Sequence, residues 1–535
     1  MKQVAMKVNQ SNLVKSLKFS FTNKTTVLGE LMQNARRAGA TSINFEFAPE
    51  TRILRVTDNG CGIDSIETLL TVAESGWDAD VVAQEHPFGI GFLSALFACR
   101  HITVVSKSGR ISVDTDDVLS FKPVNITPVP KWDNVTTITM VAVDLELGRI
   151  EHELKRLASA FPIPVIFNGE SLARPHAMDS GLEFVNTEIG SICLAGFNKP
   201  EQHNKSFVMY LQGLPIYKSS SYGSFGSPGH HVIHLDSSKF FGRLPDRDEL
   251  VDKQDVLKQV EGVLRSQIEN RLVEIKATLS ALDFVSYYDI INEWNLLYLL
   301  NDVPVIPRHV LREIANYPNC NEENFGDHES RLEKPVHRDE ILSGRQVVSF
   351  DEYMQDEGSA LSMYVYKNEF YIYCHSSSNR LDSEHWLLAH IRNLNGEKVS
   401  IELINQTHEA CFDGVWTSLA AVFCEAYRIY VGDDFVEIND DAMFDGSKAI
   451  VPKLDASGSV VTQASTFRDE YDFQQSAYET DEYDFSQFVV ANTSADTSEA
   501  LKRLLPNFSG CPSVFGKSFV IAIDENGRVA SVTSA

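Results

Sequence analysis

The chain has 535 residues, 43% of them hydrophobic, which is too long for one core and ordinary for a globular protein of two to four domains. It carries 74 acidic and 47 basic residues, unevenly placed: 32 acids and 29 bases in residues 1–280, 42 acids and 18 bases in residues 281–535. The acidic second part repels a phosphate backbone and argues against a nucleic-acid partner, and no run of about eighteen apolar residues offers a membrane span.

Residues 1–19 lack the continuous apolar stretch of a secretory leader, so the expected location is the cytoplasm. The eight cysteines are scattered, with no CxxC pair, and predict reduced thiols rather than a disulfide framework or a zinc site. After a polar leading arm, residues 25–39 predict a helix stopped by Gly39. Its stretch LGELMQNARRAGA places Glu30 and Asn34 four residues apart, hence on one face. A carboxylate beside an amide carbonyl can hold a water and a hard cation, although the same pair also describes a solvated helix face. SINFEF and ILRVTD alternate apolar and polar residues and predict a β-hairpin.

The second strand runs into Asp58-Asn59-Gly60-Cys61-Gly62. An aspartate there can accept a hydrogen bond from an exocyclic amine, and two glycines let a flat ligand approach, although DNG is also a common turn. Residues 63–88 predict a helix and then a polar, flexible segment. Pro87-Phe88-Gly89-Ile90-Gly91-Phe92 leads into the apolar helix LSALFACR, and glycines before a helix free its N-terminal amides for phosphates. HITVVSKSG and TTITMVAVD predict two further strands.

Helix with ExxxN, strand ending DxGxG, polar segment, GxGF opening a helix, strand with Thr-Thr: in this order the motifs resemble the ATP-binding domain of the GHKL superfamily. That superfamily includes gyrase B, the ninety-kilodalton heat-shock chaperones, histidine kinases and MutL-type repair proteins. PFGIGFLSALFACRHITVVSKSG is most similar to the chaperone branch and NARRAGATSI to the MutL branch. The resemblance implies that Glu30 is the general base and Asn34 the magnesium ligand. Asp58 would bind the adenine amino group with Thr136 nearby, Thr137 being the alternative. It further implies that Gly60 and Gly62 make room for adenine, that Gly89 and Gly91 cradle the phosphates, and that residues 63–88 form a lid. Arg37 stands where many relatives carry an acid. It would contact the triphosphate or pair with Glu74 or Glu85.

Residues 150–285 predict a helix, an Asn168-Gly169 hairpin, strands around Gly213 and over VIHLDSSKF, and a long helix from Asp252 to about Leu282. This is similar to the small second domain of chaperone- and MutL-type members, in which a basic residue reaches the γ-phosphate. Arg247 is the first choice for it, then Arg243, then Lys239, each open to local surface pairing instead. His230, His231 and His234 alternate along a strand and do not converge on a metal. So few residues precede Glu30 that a histidine kinase's phospho-accepting helix has no room. No later stretch reads as a topoisomerase cleavage domain or a MutL endonuclease motif.

Beyond residue 285 the resemblance stops. FVSYYDIINEWNLLYLL, LDSEHWLLAHI and VWTSLAAVFCEAY predict helices, and LSMYVYKNEFYIYC and YRIYVGDDFVEIND predict hairpins. Residues 466–488 hold seven acids, one base and seven aromatics: a peptide that docks on a partner or on the protein itself, or an exposed linker. A helix and a hairpin close the chain.

The expected fold is therefore α+β and multidomain: a GHKL α/β sandwich (1–148), a small α/β transducer-like domain (149–285), an α+β domain (286–460) and an acidic-aromatic segment with a helix and hairpin (461–535). The expected function is that of an ATP- and Mg2+-dependent, slowly hydrolysing, chaperone-like clamp. It would work as a nucleotide-linked homodimer holding a protein client through its acidic half. The alternatives are a nucleotide-gated module without useful turnover and a MutL-like DNA clamp.

Overall fold

The computed structural model describes residues 9, 12–14, 16–17, 23–72, 77, 91–200, 203, 205–219, 229–243, 249–315, 317, 329–350, 358–373, 376, 379–454, 458–469 and 472–535. The chain divides into two compact units, Met1–Ser280 with Ser286–Leu296, and Ala281–Val285 with Leu297–Ala535.

In the first unit, helix α1 (Thr26–Arg37) precedes the hairpin β1 (Ile43–Ala48) and β2 (Ile53–Asp58). Helix α2 (Gly91–Ala98), strands β3 (His101–Ser106) and β4 (Gly109–Asp114), the short helix α3 (Thr115–Leu119) and β5 (Thr136–Val141) follow. Then come α4 (Leu147–Ala158), β6 (Val165–Phe167) and β7 (Glu170–Ser171). The seven strands form one sheet in the order β4-β3-β5-β2-β1-β6-β7. The β1–β2 register runs from Ile43 opposite Asp58 to Ala48 opposite Ile53, so alternation places Ile43, Phe45, Phe47, Leu54 and Val56 in the core. Val27, Leu28, Leu31, Met32 and Ala35 of α1 and Phe92, Leu93 and Leu96 of α2 enter the same core, giving a two-layer sandwich. The Asn168-Gly169 turn, with φ of 48° and 88°, joins β6 to β7, and β6 pairs in parallel with β1.

A second, five-stranded sheet is built from β8 (Val185–Thr187), β9 (Gly190–Cys193), β10 (Phe207–Leu211), β11 (Leu214–Lys218) and β12 (His231–Leu235), in the order β11-β10-β12-β9-β8. The long helix α5 (Lys253–Thr278) follows, burying Val260, Leu264, Ile268, Leu272 and Ile275 at intervals of three and four residues. The three strand histidines turn to different partners. His230 Nδ1 meets Ser206 Oγ at 2.5 Å, His234 Nε2 donates to the His176 carbonyl at 2.8 Å, and the Ala195 N–H donates to His231 Nδ1 at 3.0 Å.

His231 is fully buried, and burial, with the charges of His203 and His230, pushes its pKa down to about 3. Burial pushes neighbouring His203 down to about 4. The unfolded chain therefore takes up protons below about pH 6.5 that the fold refuses. The contribution of these histidines to stability should be undiminished above that pH and fall as pH drops towards 4. His231→Phe should shrink the difference in melting temperature between pH 7 and pH 5; an unchanged difference would remove His231 as a cause.

The second unit is mixed α+β. It holds a five-stranded sheet over Leu311–Asn393, a three-stranded sheet (Val399–Ile404, Ala426–Val431, Asp434–Ile438) and a four-stranded sheet (His408–Asp413, Ser418–Cys424, Lys448–Pro452, Met443–Phe444). Several expectations fail here. Gly358–Lys367 is a helix, not the first arm of a hairpin, because Leu361, Tyr364 and Val365 repeat at helical spacing. Ser418–Cys424 is a strand of the four-stranded sheet, not part of a helix; its Ala421 to Cys424 are buried without interruption, which erases the alternation a strand normally shows. Ala426–Val431 pairs antiparallel with Asp434–Ile438, the hairpin expected of YRIYVGDDFVEIND. Residues 281–300 form short helical pieces, interrupted at Asn295, whose φ is 56°. The acidic-aromatic stretch largely becomes helix Gln475–Thr493, whose Tyr478, Phe485 and Val489 pack on Phe412, Leu419 and Phe423 of the four-stranded sheet. It docks on the protein itself.

Candidate active site

Helix α1 sets the geometry. Its apolar residues lock the rotation of the helix, and Glu30, only 8% exposed, emerges beside that buried face with Asn34, half-buried, one turn further on. At the far end the Gly39 N–H donates to the Arg36 carbonyl and the Ala40 N–H to the Ala35 carbonyl, with Gly39 at φ 69° as the left-handed stop.

The Glu30 carboxylate lies against Gly91, the first residue of α2. A Cβ built at Gly91 would stand 2.1 Å from Glu30 Oε2. A side chain there would have to displace the acid, so glycine at 91 lets Glu30 keep this position. The N-terminal end of α2 also favours a negative charge at that place.

The DNGCG loop is seated on the opposite end of α1. The Cys61 N–H donates to the Ala38 carbonyl at 2.8 Å, and a Cβ on Gly60 would meet the Ala38 Cβ at 2.6 Å. Asn59 closes the same corner by accepting the Thr41 N–H at 2.8 Å and donating to Thr41 Oγ1 at 2.7 Å. The strand-end acid and the ExxxN helix are thus held together through Ala38. Asp58 Oδ1 accepts the Gly60 N–H at 3.0 Å. Burial raises the pKa of Asp58, and the Gly60 N–H partly offsets this.

Asp58 pairs with Thr136 across the β2–β5 ladder, and Thr57 pairs with Thr137. Cross-strand partners share a face, so Thr136 is the threonine beside the acid. Its hydroxyl is 3.0 Å from Ser106 Oγ, which accepts the Ile63 N–H at 2.9 Å. Gly62, at φ 76°, completes the loop: a Cβ there would strike the Trp132 ring at 2.8 Å and Lys107 Cγ at 3.2 Å. Ser106, Lys107 and Trp132 escape sequence reasoning. Ser106 and Lys107 fall within the stretch HITVVSKSG, but nothing in their residue types singles them out, and Trp132 lies in an irregular stretch without periodicity.

The fold brings Glu30, Asn34 and Gly91 together at one place, and Asp58, Gly60, Gly62 and Thr136 at another, with α1 spanning both. Gly89, Arg247, Glu74 and Glu85 lie outside the described residues. Arg37 is half-buried at the last turn of α1. Arg243 faces Glu249 at 3.8 Å, and Lys239 donates to the Glu188 carbonyl at 2.9 Å, so both meet local partners. The α1 helix also touches the second sheet: Gln33 Nε2 donates to the Gln212 carbonyl at 3.1 Å, and a Cβ on Gly29 would lie 3.6 Å from Leu214 Cδ1.

Residues 22–139 match the family model of the histidine kinase-, DNA gyrase B- and HSP90-like ATPases. No curated protein matches the chain.

Proposed function

Taking residues 22–139 as an ATP-binding domain of the GHKL superfamily, we propose that the chain is a slowly hydrolysing, chaperone-like ATPase clamp in the cytoplasm. The observation that carries this reading is the single helix spanning two chemistries, with Glu30 against Gly91 at its middle and the Asp58 loop seated on its end.

In this mechanism Asp58 accepts a hydrogen bond from the adenine amino group, with Thr136 beside it. Glu30 takes the proton of the water that attacks the γ-phosphate, giving ADP and phosphate. The donor set suits magnesium: the amide oxygen of Asn34 is a hard ligand on the same helix face as the acid. Asn34 would hold the ion, which when bound neutralises charge on the phosphates. Gly91, with Gly89, would supply backbone room and amides for the phosphate oxygens. Arg247 is the proposed γ-phosphate contact, since a guanidinium fits phosphate oxygens with two donors. ATP would bring two protomers together, and the strongly acidic second half would hold a protein client.

One experiment addresses the reading: light scattering and phosphate release, each with and without a non-hydrolysable ATP analogue, on the wild-type chain and on Asp58→Asn. The wild type should release phosphate and double in mass with the analogue. Asp58→Asn, which loses a charge-assisted hydrogen bond, should bind nucleotide at least about tenfold more weakly. A wild-type chain that binds no nucleotide would end the reading; one that binds and stays monomeric would end the clamp.

A further inference from the structure

We propose that Trp132 is the aromatic wall on which the nucleobase stacks, an inference that rests on reading residues 22–139 as an ATP site. An aspartate at the edge of a base can read a donor but contributes little contact area. The binding energy of a purine comes largely from its faces, and these need a flat apolar partner.

Trp132 is placed for this. The benzo edge of its indole lies over Gly62, where even a Cβ would come within 2.8 Å of two ring atoms. Its Nε1–H donates to the Val135 carbonyl at 2.8 Å, so the polar edge of the ring is already satisfied and what remains is apolar surface. The ring is half-buried. Its tether is short: Val135, the acceptor, immediately precedes Thr136, which stands opposite Asp58 in the β2–β5 register. The same five-residue segment, 132–136, therefore holds both the ring and the threonine beside the acid. Beside the ring, against the same built Cβ, the methylene stem of Lys107 approaches within 3.2 Å, and its ammonium pairs with Asp64 at 2.6 Å. Gly62 thus lies under both an indole and an aliphatic stem, with the base-reading carboxylate four residues earlier in the loop.

Stacking and edge recognition make separable demands. Every base has a π face, so loss of the indole should weaken all purine nucleotides alike, whereas loss of the Asp58 charge should act on the 6-amino donor of adenine, where guanine carries a carbonyl. Calorimetry on the full chain with non-hydrolysable ATP and GTP analogues tests this. Trp132→Ala should weaken both by a similar factor, about tenfold or more, and leave their ratio unchanged; Trp132→Phe should keep most of the affinity. In a chain carrying Trp77→Phe, the ATP analogue should quench tryptophan emission, and adding Trp132→Phe should remove that quench. Unchanged affinity in Trp132→Ala, a change confined to one nucleotide, or a quench that survives Trp132→Phe would each overturn the inference while ATP binding stands. A wild-type chain that binds neither analogue overturns both readings together.

Discussion

Glu30→Gln should lower phosphate release by about 100- to 10,000-fold, the usual contribution of a positioned general base, while nucleotide binding stays close to that of the wild type. The substitution keeps the volume of the side chain and its contact with Gly91, and removes only the capacity to take a proton. Geometry makes the expectation sharp. Glu30 is held in a helix whose neighbouring face is fully packed, it is almost closed to solvent, and Gly91 leaves it no room to reorient on that side. A base so constrained cannot be replaced by a water that drifts into its place. Glu30→Ala should lose turnover to the same extent. Measured by steady-state phosphate release beside calorimetric binding, wild-type turnover in either variant would refute the mechanism, and loss of binding together with turnover would move Glu30 from catalysis to ligand recognition.

The second large effect is predicted far from the nucleotide. Asp481→Ala should destabilise the second unit by about 3–5 kcal/mol, the range found when one partner of a buried charged interaction is removed. Asp481, on the helix Gln475–Thr493, is completely buried. Its carboxylate accepts three successive backbone N–H groups, from Val415 at 2.6 Å, Trp416 at 3.0 Å and Thr417 at 2.7 Å. Gly414 opens this nest, since a Cβ there would lie 2.5 Å from Asp481 Oδ1. Truncation leaves three donors that no water reaches readily, and the loss of their shared acceptor outweighs the modest release of side-chain entropy. Asp481→Asn, which keeps an acceptor but loses the charge, should fall between. Calorimetry should show the corresponding transition lowered by about 10 °C in the alanine variant; a shift below about 1 °C would show that the helix is held by Tyr478, Phe485 and Val489 alone.

These two residues mark how far the chain could be read before its structure was known. Helix α1, the β1–β2 hairpin and β5 were legible because each has one buried and one open face, so the period of the sequence equals the period of the element. Glu30, Asn34 and Asp58 could be singled out as candidates for a related reason: each belongs to a motif whose own spacing is local. Ser418–Cys424 was not, because a strand buried on both faces has no alternation to show. Asp481 was invisible, since its partners lie more than sixty residues earlier and are backbone groups that any residue could supply. The choice of Thr136 over Thr137 is one of register, which only the paired strands decide. Trp132 belongs to a loop, and nothing in its neighbours' identities points it at Gly62.

The hairpin tip formed by Gln212 and Leu214 rests on α1 beside Gln33 and Gly29, one turn or less from Glu30 and Asn34. Helix and tip are in contact, and any coupling between two binding sites works in both directions. Any molecule on the second sheet that favours one setting of α1 must change nucleotide affinity by the factor with which nucleotide changes the affinity for that molecule. The two ligands would then be read against each other through contacts such as that of Gln33 with Gln212.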